Sequence, residues 1–131
     1  MIYNEDDRAQ RLIDVFDMLD GQVNVSYVHS TTHIVAWHKH NIQSDLWICL
    51  KGSFKVGLAY PQEDGSHKLE WEYLSDKNPR VLTIKPGIYH GYKALQKGSI
   101  LCYYVTHKYN PADEIRAKIG SFGDDWGTEN K

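Results

Sequence analysis

Short apolar runs dominate the middle of the chain, and most of them end at a turn signal. Between residues 23 and 107 these runs are rich in Val, Ile, Tyr and Trp, and Gly, Pro, Asn and Asp separate them, as is typical of strands joined by tight turns. Because no helical pattern lies between the runs, we expect antiparallel pairing in a jelly roll or small β-barrel. The predicted strands are residues 23–29, 33–38, 45–50, 53–60, 68–73, 80–84, 88–94 and 99–107.

Helical periodicity is confined to the two ends of the chain. Between Arg8 and Leu19 the apolar residues recur at spacings near three and four, and Gly21 supplies a stop, so the pattern predicts a short N-terminal helix. After Pro111, a second helical pattern at residues 112–119 predicts a short helical tail, followed by a Gly-rich polar end.

Length and charge restrict the classes of protein that fit. The 131 residues fit a single domain, 1–131, with its core at about residues 23–110. The 15 basic and 17 acidic residues give no basic surface, so we expect no nucleic acid and no membrane as a partner. The N-terminus lacks the features of a signal peptide, and Cys49 and Cys102 lie in strand-like runs, so we predict a cytoplasmic protein with reduced thiols.

Three histidines and one aspartate form the clearest chemical pattern. His38 and His40 are two residues apart on a predicted strand and therefore face the same side of the sheet. Asp45 follows after four residues, and the Pro86-Gly87 turn starts the strand that carries His90. Imidazole and carboxylate groups that converge inside a barrel can transfer protons or bind a transition metal, and the residues leave both alternatives open.

This arrangement, with Gly52 in register, resembles the two motifs of the cupins. Over about residues 27–116 the chain is similar to one cupin branch, the dTDP-4-dehydrorhamnose 3,5-epimerase-like proteins. The resemblance implies an all-β fold, a cupin-type jelly-roll β-barrel of antiparallel strands. The ordered motifs that carry it are Ala36-Trp37-His38, residues 50–56, residues 74–78, residues 84–92 and residues 109–114.

The resemblance also implies a function. It indicates a sugar-nucleotide epimerase or isomerase that acts next to the C4 ketone of a dTDP-linked keto-deoxysugar, and a homodimer. By position, His38 would be the catalytic base and Tyr103, thirteen residues after His90, the catalytic acid. The substrate-binding residues that the resemblance implies are His40, Gln43, Asp45, Trp47 and His90.

Three features depart from the family pattern. Val35 stands where the family has an arginine that helps to hold the nucleotide phosphate, and Asp45 stands where a lysine stabilises the enolate. An enolate beside a carboxylate is destabilised. The family's acidic partner of the catalytic histidine comes from a C-terminal segment, in which Asp124 or Asp125 is the candidate here.

Other functions stay open beside the epimerase. Because the epimerase-like branch generally works without a metal, no cofactor is expected; the alternative is a divalent transition metal bound by His38, His40, Asp45 and His90. A non-catalytic cupin that binds a sugar is a second alternative. A third is a 3,4-ketoisomerase, which the histidine pair and residues 113–116 also resemble.

Overall fold

The computed structural model describes residues 1–13, 15–16 and 20–128, and these residues form eleven strands and one 3-10 turn. The eight predicted strands are confirmed, as β3 to β10. The strands are β1 (Ile2–Glu5), β2 (Gln10–Ile13), β3 (Gln22–Tyr27), β4 (Ile34–Lys39), β5 (Asp45–Lys51), β6 (Ser53–Pro61), β7 (His67–Ser75), β8 (Leu82–Ile84), β9 (Tyr89–Ala94), β10 (Ile100–Val105) and β11 (Ile115–Arg116).

Two antiparallel sheets form the body of the protein. The first has four strands in the order β3-β10-β5-β8, and the second has five in the order β11-β4-β9-β6-β7. Neighbouring strands are mostly distant in sequence, as in a jelly roll, and every pair is antiparallel. The antiparallel all-β architecture expected from the sequence is therefore confirmed.

The core lies between the inner faces of the two sheets. Trp47 and Leu101 of the four-stranded sheet pack in one cluster with Phe54 and Val56 of the five-stranded sheet. Full burial of such an apolar side chain contributes about 1.5–3 kcal/mol, so this shared cluster holds the sheets together.

The C-terminal tail covers the outer face of the five-stranded sheet. Trp126 packs against Trp37, with ring centroids 5.5 Å apart, and Phe122 meets the same indole edge to face at 5.1 Å. The Asp124 carboxylate accepts the indole N–H of Trp37 at 3.1 Å and that of Trp126 at 2.8 Å. The tail is thus fastened by apolar packing and by hydrogen bonds.

The predicted N-terminal helix at residues 8–19 is not found. Gln10–Ile13 form strand β2 and pair with β1 in a hairpin, whose turn is closed by the Asp6 carboxylate accepting the Arg8 and Ala9 N–H groups. Residues 14 and 17–19 of that prediction lie outside the described residues. The polar turn at Asp6 and the pairing of β1 with β2 outweigh the short helical pattern in the sequence.

The predicted C-terminal helix at residues 112–119 is wrong as well. Pro111–Asp113 form a single 3-10 turn, with the Asn110 side chain accepting the Ala112 N–H. The chain then extends into β11, which pairs with β4. Pairing with the sheet edge has overridden the local helical pattern. In the described part of the chain, no helix has the length and apolar character that crossing a membrane requires.

Candidate active site between the two sheets

A pocket of about 260 Å³ opens between the inner faces of the two sheets. Strands β3, β5 and β10 form one wall, and β4, β9 and the segment that leads into β11 form the other. The structure brings together every residue that the sequence assigned to catalysis or substrate binding, while their roles stay predictions. These lining residues are His38, His40, Gln43, Asp45, Trp47, His90 and Tyr103.

An irregularity in β4 shapes one wall of the pocket. The pairing of β4 with β9 shifts register between Val35 and His38, so both of these residues line the pocket. Trp37 between them is buried on the opposite side, against the tail. Gly91 allows the close approach of β9, because a Cβ there would lie 2.4 Å from the Ala36 Cβ.

His38 is paired with a carboxylate that the sequence analysis did not assign. Its Nδ1 atom lies 3.0 Å from Oε1 of Glu114, and both side chains are mostly buried. Burial lowers the pKa of His38 below its usual range, although the Glu114 charge acts in the opposite direction. Burial alone would raise the pKa of Glu114, but the Arg116 hydrogen bond and charge, together with His38, lower it.

The acidic partner expected from the C-terminal tail is therefore corrected. Asp124 accepts hydrogen bonds from two indoles and from the Gly120 and Phe122 N–H groups, and Asp125 accepts the Gly127 N–H. These contacts fasten the tail on the outer face of the sheet. The carboxylate that reaches His38 comes instead from Glu114, just before β11.

His40 is held by the backbone of the same segment. Its Nδ1 atom lies 3.0 Å from the carbonyl oxygen of Asp113, which can only accept, so Nδ1 carries the proton. The Asp113 carboxylate accepts the N–H groups of residues 41, 42 and 43. Asp113 therefore fixes both the histidine ring and the loop that leads to Gln43.

Asp45 lies at the centre of a buried polar network. Its carboxylate accepts the Gln43 amide N–H at 2.8 Å and the Trp47 indole N–H at 3.1 Å. The Nε2 atom of His90 lies 3.7 Å from Oδ2 of Asp45, and each of these two residues is 5% exposed. Burial lowers the pKa of His90, while the Asp45 charge acts in the opposite direction. The His90 ring is oriented by its Nδ1, 3.0 Å from the Ile88 carbonyl.

Tyr103 enters the pocket from the four-stranded sheet. It pairs in register with Trp47 of β5 and Asn24 of β3, and its ring centroid lies 6.3 Å from that of Trp47. Tyr104 points to the opposite face, where its ring lies 5.7 Å from that of Phe16. Of the two adjacent tyrosines, Tyr103 is thus the one at the pocket.

The charges around the pocket are unusual for a site expected to bind a diphosphate. Among the described lining residues there is no Lys or Arg, and two carboxylates, Asp45 and Glu114, face the cavity. Arg116 approaches the wall from outside, with its Nη2 atom 3.3 Å from Oε2 of Glu114. The valine at position 35 leaves the wall apolar where the family has an arginine.

Several lining residues were missed by the sequence analysis. Gln22 and Asn24 alternate with Val23 and Val25 on β3, and this period of two could have assigned them to the inner face. Glu114 lies in the motif at residues 109–114, but the sequence predicted a helix from residue 112. The direction of the Glu114 side chain could therefore not be inferred. The other lining residues that were missed are Gly91, Tyr92, Val105, Tyr109 and Asn110.

The chain is similar in sequence to known proteins. A family model described as FdtA: WxcM-like, C-terminal matches residues 12–122. The spore coat polysaccharide biosynthesis protein SpsL of Bacillus subtilis (strain 168) is 30% identical over 140 residues, which cover 98% of this chain and 93% of that protein. The probable low-salt glycan biosynthesis epimerase Agl13 of Haloferax volcanii is 30% identical over 124 residues, which cover 86% and 79%.

Solved structures share the fold at lower identity. The dTDP-4-dehydrorhamnose 3,5-epimerase of Bacillus anthracis str. Ames, solved with TDP and PPi, superposes with a TM-score of 0.86 at 19% identity, covering 98% of this chain and 83% of that chain. The sugar 3,4-ketoisomerase QdtA of Thermoanaerobacterium thermosaccharolyticum, solved with TDP, gives 0.71 at 22% identity, covering 88% and 83%. The sheets described above therefore have the architecture of both proteins.

Proposed function

Since the chain belongs to the FdtA family described as WxcM-like, C-terminal, we propose that it is a sugar-nucleotide epimerase or isomerase. It acts next to the C4 ketone of a dTDP-linked keto-deoxysugar. The names of its relatives and structural neighbours, which include an epimerase of glycan biosynthesis and a dTDP-sugar 3,5-epimerase, support this class of reaction.

One observation carries the proposal: His38 and Tyr103 line the same pocket from two facing sheets. A proton next to a ketone can be removed by an imidazole on one side of the sugar ring, and a phenol on another side can return a proton. In this assignment His38 is the base and Tyr103 the acid.

Glu114 prepares His38 for this role. With its Nδ1–H donated to the Glu114 carboxylate, a neutral His38 keeps the lone pair of Nε2 for the substrate proton. When His38 gains that proton, the nearby carboxylate stabilises the imidazolium. Burial favours the neutral ring before the reaction, as the lowered pKa of His38 indicates.

The remaining lining residues fit a sugar bound to a nucleotide. The aromatic rings of Trp47 and Tyr92 meet at 5.6 Å and offer an apolar surface for a deoxysugar ring or a base. Gln43 and His40 supply polar groups beside them. No Lys or Arg is among the described lining residues, but Arg116 donates a hydrogen bond to Glu114, which lines the pocket. We therefore assign Arg116 to bind the diphosphate at the mouth of the pocket.

We also propose a cytoplasmic homodimer. The outer face of edge strand β3 exposes Val23, Val25 and Tyr27 at 56%, 44% and 67%. A second copy that covers this apolar row would remove it from water and protect the strand edge. Light scattering of the protein and of Val25→Lys tests this step: we expect a dimer that the substitution dissociates, and a native monomer would contradict it.

The cysteines support the cytoplasmic location. Cys49 and Cys102 are buried free thiols, which a reducing compartment preserves.

Solvent exchange tests the catalytic proposal directly. The protein is incubated in heavy water with dTDP-4-keto-6-deoxyglucose, and deuterium in the sugar is measured by mass spectrometry. We expect deuterium next to the ketone with the native protein and a loss of about 10²–10⁴-fold in rate with His38→Ala. His29→Ala, outside the pocket, is the matched control. No exchange with several keto-sugar nucleotides, or full activity of His38→Ala, would refute the assignment.

The product distinguishes an epimerase from a ketoisomerase. Proton NMR of the exchanged sugar shows whether a centre next to the ketone is inverted or the carbonyl has moved to the neighbouring carbon. A second imidazole, His40, lies on the same wall as His38 and keeps the ketoisomerase as a candidate. Inversion without carbonyl movement would exclude it.

A further inference from the structure

The pocket between the sheets is rich in hydrogen-bond acceptors and poor in free donors. His40, Asp45 and His90 each offer one atom with a lone pair, and these three atoms lie within 4.8 Å of one another. Asp45 and His90 are each 5% exposed, and all three residues line the pocket. These three residues, which we call the acceptor cluster, are therefore enclosed by the protein but can be reached from the cavity.

The backbone holds both imidazoles of the acceptor cluster in one tautomer. Nδ1 of His40 donates to the Asp113 carbonyl oxygen, and Nδ1 of His90 donates to the Ile88 carbonyl oxygen, each at 3.0 Å. In a neutral ring whose Nδ1 carries the proton, Nε2 has a free lone pair and accepts a hydrogen bond. The two rings therefore add acceptors to the pocket and no free donor.

Asp45 brings a negative charge into the same region. Gln43 and Trp47 each donate one N–H group to it, at 2.8 and 3.1 Å, and an ionised carboxylate can accept further hydrogen bonds beyond these two. The Nε2 atom of His90 lies 3.7 Å from Oδ2, which is too long for a hydrogen bond. Because the described lining residues include no Lys or Arg, the pocket offers this charge no fixed cation, and a buried charge is costly without a partner.

We propose that the acceptor cluster binds an ammonium group carried by the sugar, so that the preferred substrate is a dTDP-linked keto-deoxysugar with an amino substituent. This inference rests on the proposed function, because it names the substrate class of the same pocket. An ammonium group has one positive charge and three N–H donors. Three atoms at most 4.8 Å apart share a point about 2.8 Å or less from each, which is the length of a charge-assisted hydrogen bond. One ammonium nitrogen can therefore meet all three acceptors and neutralise Asp45.

The chemistry of the sugar limits where this amino group can stand. In a dTDP-linked 6-deoxysugar with a C4 ketone, C1 carries the diphosphate and C5 carries the methyl group, so C2 and C3 remain. The group also assists the proposed reaction. When His38 removes the proton next to the ketone, the electron pair passes into an enolate, which a nearby carboxylate destabilises. An ammonium group that pairs with Asp45 offsets this effect.

Calorimetry with sugar nucleotides that cannot react tests the inference. The probes are dTDP-6-deoxyglucose and its two derivatives in which an amino group replaces the hydroxyl at C2 or at C3, measured at pH 7 in buffer with EDTA. We expect one amino derivative to bind about 10- to 100-fold more tightly than the hydroxyl sugar, as hydrogen bonds to a charged group do. N-acetylation of that derivative removes the charge and should abolish the advantage. Since none of the probes has a ketone, binding is measured apart from turnover.

Three variants locate the preference. Asp45→Asn removes the charge with little change in shape and should reduce the advantage of the amino sugar to less than about threefold. His40→Ala removes one acceptor without altering the hydrogen bonds of Asp45, and should reduce the advantage in part. Glu114→Gln is the matched control, because it also removes a lining carboxylate but lies outside the acceptor cluster, and it should keep the advantage. Circular dichroism verifies that each variant is folded.

The outcomes separate this inference from the proposed function. Equal affinity of the native protein for the hydroxyl sugar and both amino sugars would overturn the inference alone, as would an advantage that survives both Asp45→Asn and His40→Ala. If none of the dTDP-sugars bound, the proposed function would fail together with it. A preference for the amino sugar that is lost in Asp45→Asn and kept in Glu114→Gln would establish the acceptor cluster as the ammonium site.

Discussion

The Nδ1 atom of His38 and the Oε1 atom of Glu114 lie 3.0 Å apart, although 76 residues separate them in the chain. The short strand β11 makes this contact possible, because it pairs with β4 so that Arg116 is directly opposite His38. The residue that precedes β11 is thereby delivered to the pocket. The pairing of a two-residue strand thus determines the carboxylate that serves the proposed base.

Substitution of Glu114 by Gln tests this relationship. Gln keeps the size of the side chain but removes the charge that stabilises a protonated His38, so we expect kcat to fall by about 10- to 100-fold, less than for loss of the base itself. KM should change little, since the effect acts through the histidine. Steady-state kinetics on the keto-sugar nucleotide measure both constants.

Two further variants make the Glu114 result specific. Glu114→Asp retains the charge and should recover part of kcat, and Glu63→Gln, in an exposed loop, should behave like the native protein. A native kcat for Glu114→Gln would mean that His38 works without this partner.

For Asp124, which the sequence suggested as the acidic partner of His38, we expect a different outcome. Because Asp124 binds the indoles of Trp37 and Trp126 on the outer face, Asp124→Asn should lower the free energy of unfolding by about 1–3 kcal/mol and leave kcat at 20 °C essentially native. Urea unfolding and kinetics on the same sample separate the two effects. A kcat that falls with unaltered stability would return Asp124 to the active site.

Strand positions and the site histidines could be predicted from the sequence, for a physical reason. Alternation with a period of two and tight turns fix strands locally, and His38 near the end of β4 and His40 just after it line the pocket together, as their spacing of two predicts. The ends of the chain could not be predicted in this way. Ile115–Arg116 become a strand through pairing with the distant β4, and Gln10–Ile13 become one through a hairpin with β1. Neither segment carries a strand pattern of its own.

The same limit explains the missed carboxylate. Glu114 stands in a segment whose apolar spacing is helical, and a helix there would have pointed its side chain elsewhere. The direction of Glu114 depends on the 3-10 turn at Pro111–Asp113 and on the edge of β4, both of which are tertiary features. The neighbouring Asp113 carboxylate also depends on tertiary contacts, because it accepts hydrogen bonds from the N–H groups of residues 41–43, which lie 70 to 72 positions away in the chain.

Asp113 should therefore be a stability determinant of the site. Asp113→Ala leaves the N–H groups of Asn41, Ile42 and Gln43 without this acceptor, and we expect the free energy of unfolding to fall by about 1–3 kcal/mol. Asp113→Asn keeps one oxygen and should lose less. Urea denaturation measures the difference, with Glu63→Ala as an exposed control expected to stay within about 0.5 kcal/mol of the native protein. Equal stability of all three variants would contradict the role.

The thiol of Cys49 should be unreactive in the folded protein. Burial, followed by the charge of Asp76, raises its pKa from 9.0 to about 11, so the thiol stays protonated near neutrality. Because the thiol has a higher pKa in the folded than in the unfolded state, its contribution to stability is fully present below pH 9. That contribution is lost as the pH rises through about 11. Alkylation with iodoacetamide at pH 8, followed by peptide mass spectrometry, should label Cys49 only after unfolding. Rapid labelling of the native protein would contradict this environment.

The adjacent tyrosines on β10 offer the sharpest test of the proposed acid. Tyr103 and Tyr104 differ by one position and therefore face opposite sides of the sheet, one at the pocket and one in the packing around Phe16. Tyr103→Phe removes the hydroxyl that is proposed to return the proton, and we expect inversion to slow by about 10²–10⁴-fold. Proton removal by His38 should persist, so deuterium exchange should be faster than product formation.

Tyr104→Phe is the matched control, since it deletes the same atom on the other face. The Tyr104 hydroxyl is buried and has no hydrogen-bond partner among the described residues, so its loss should leave kcat unchanged and the protein equally or slightly more stable. Kinetics, exchange and thermal unfolding of the two variants are compared side by side. If Tyr104→Phe were the inactive variant, or if Tyr103→Phe inverted its substrate at the native rate, the acid would have to be sought elsewhere on the pocket wall, with Tyr92 the next phenol to examine.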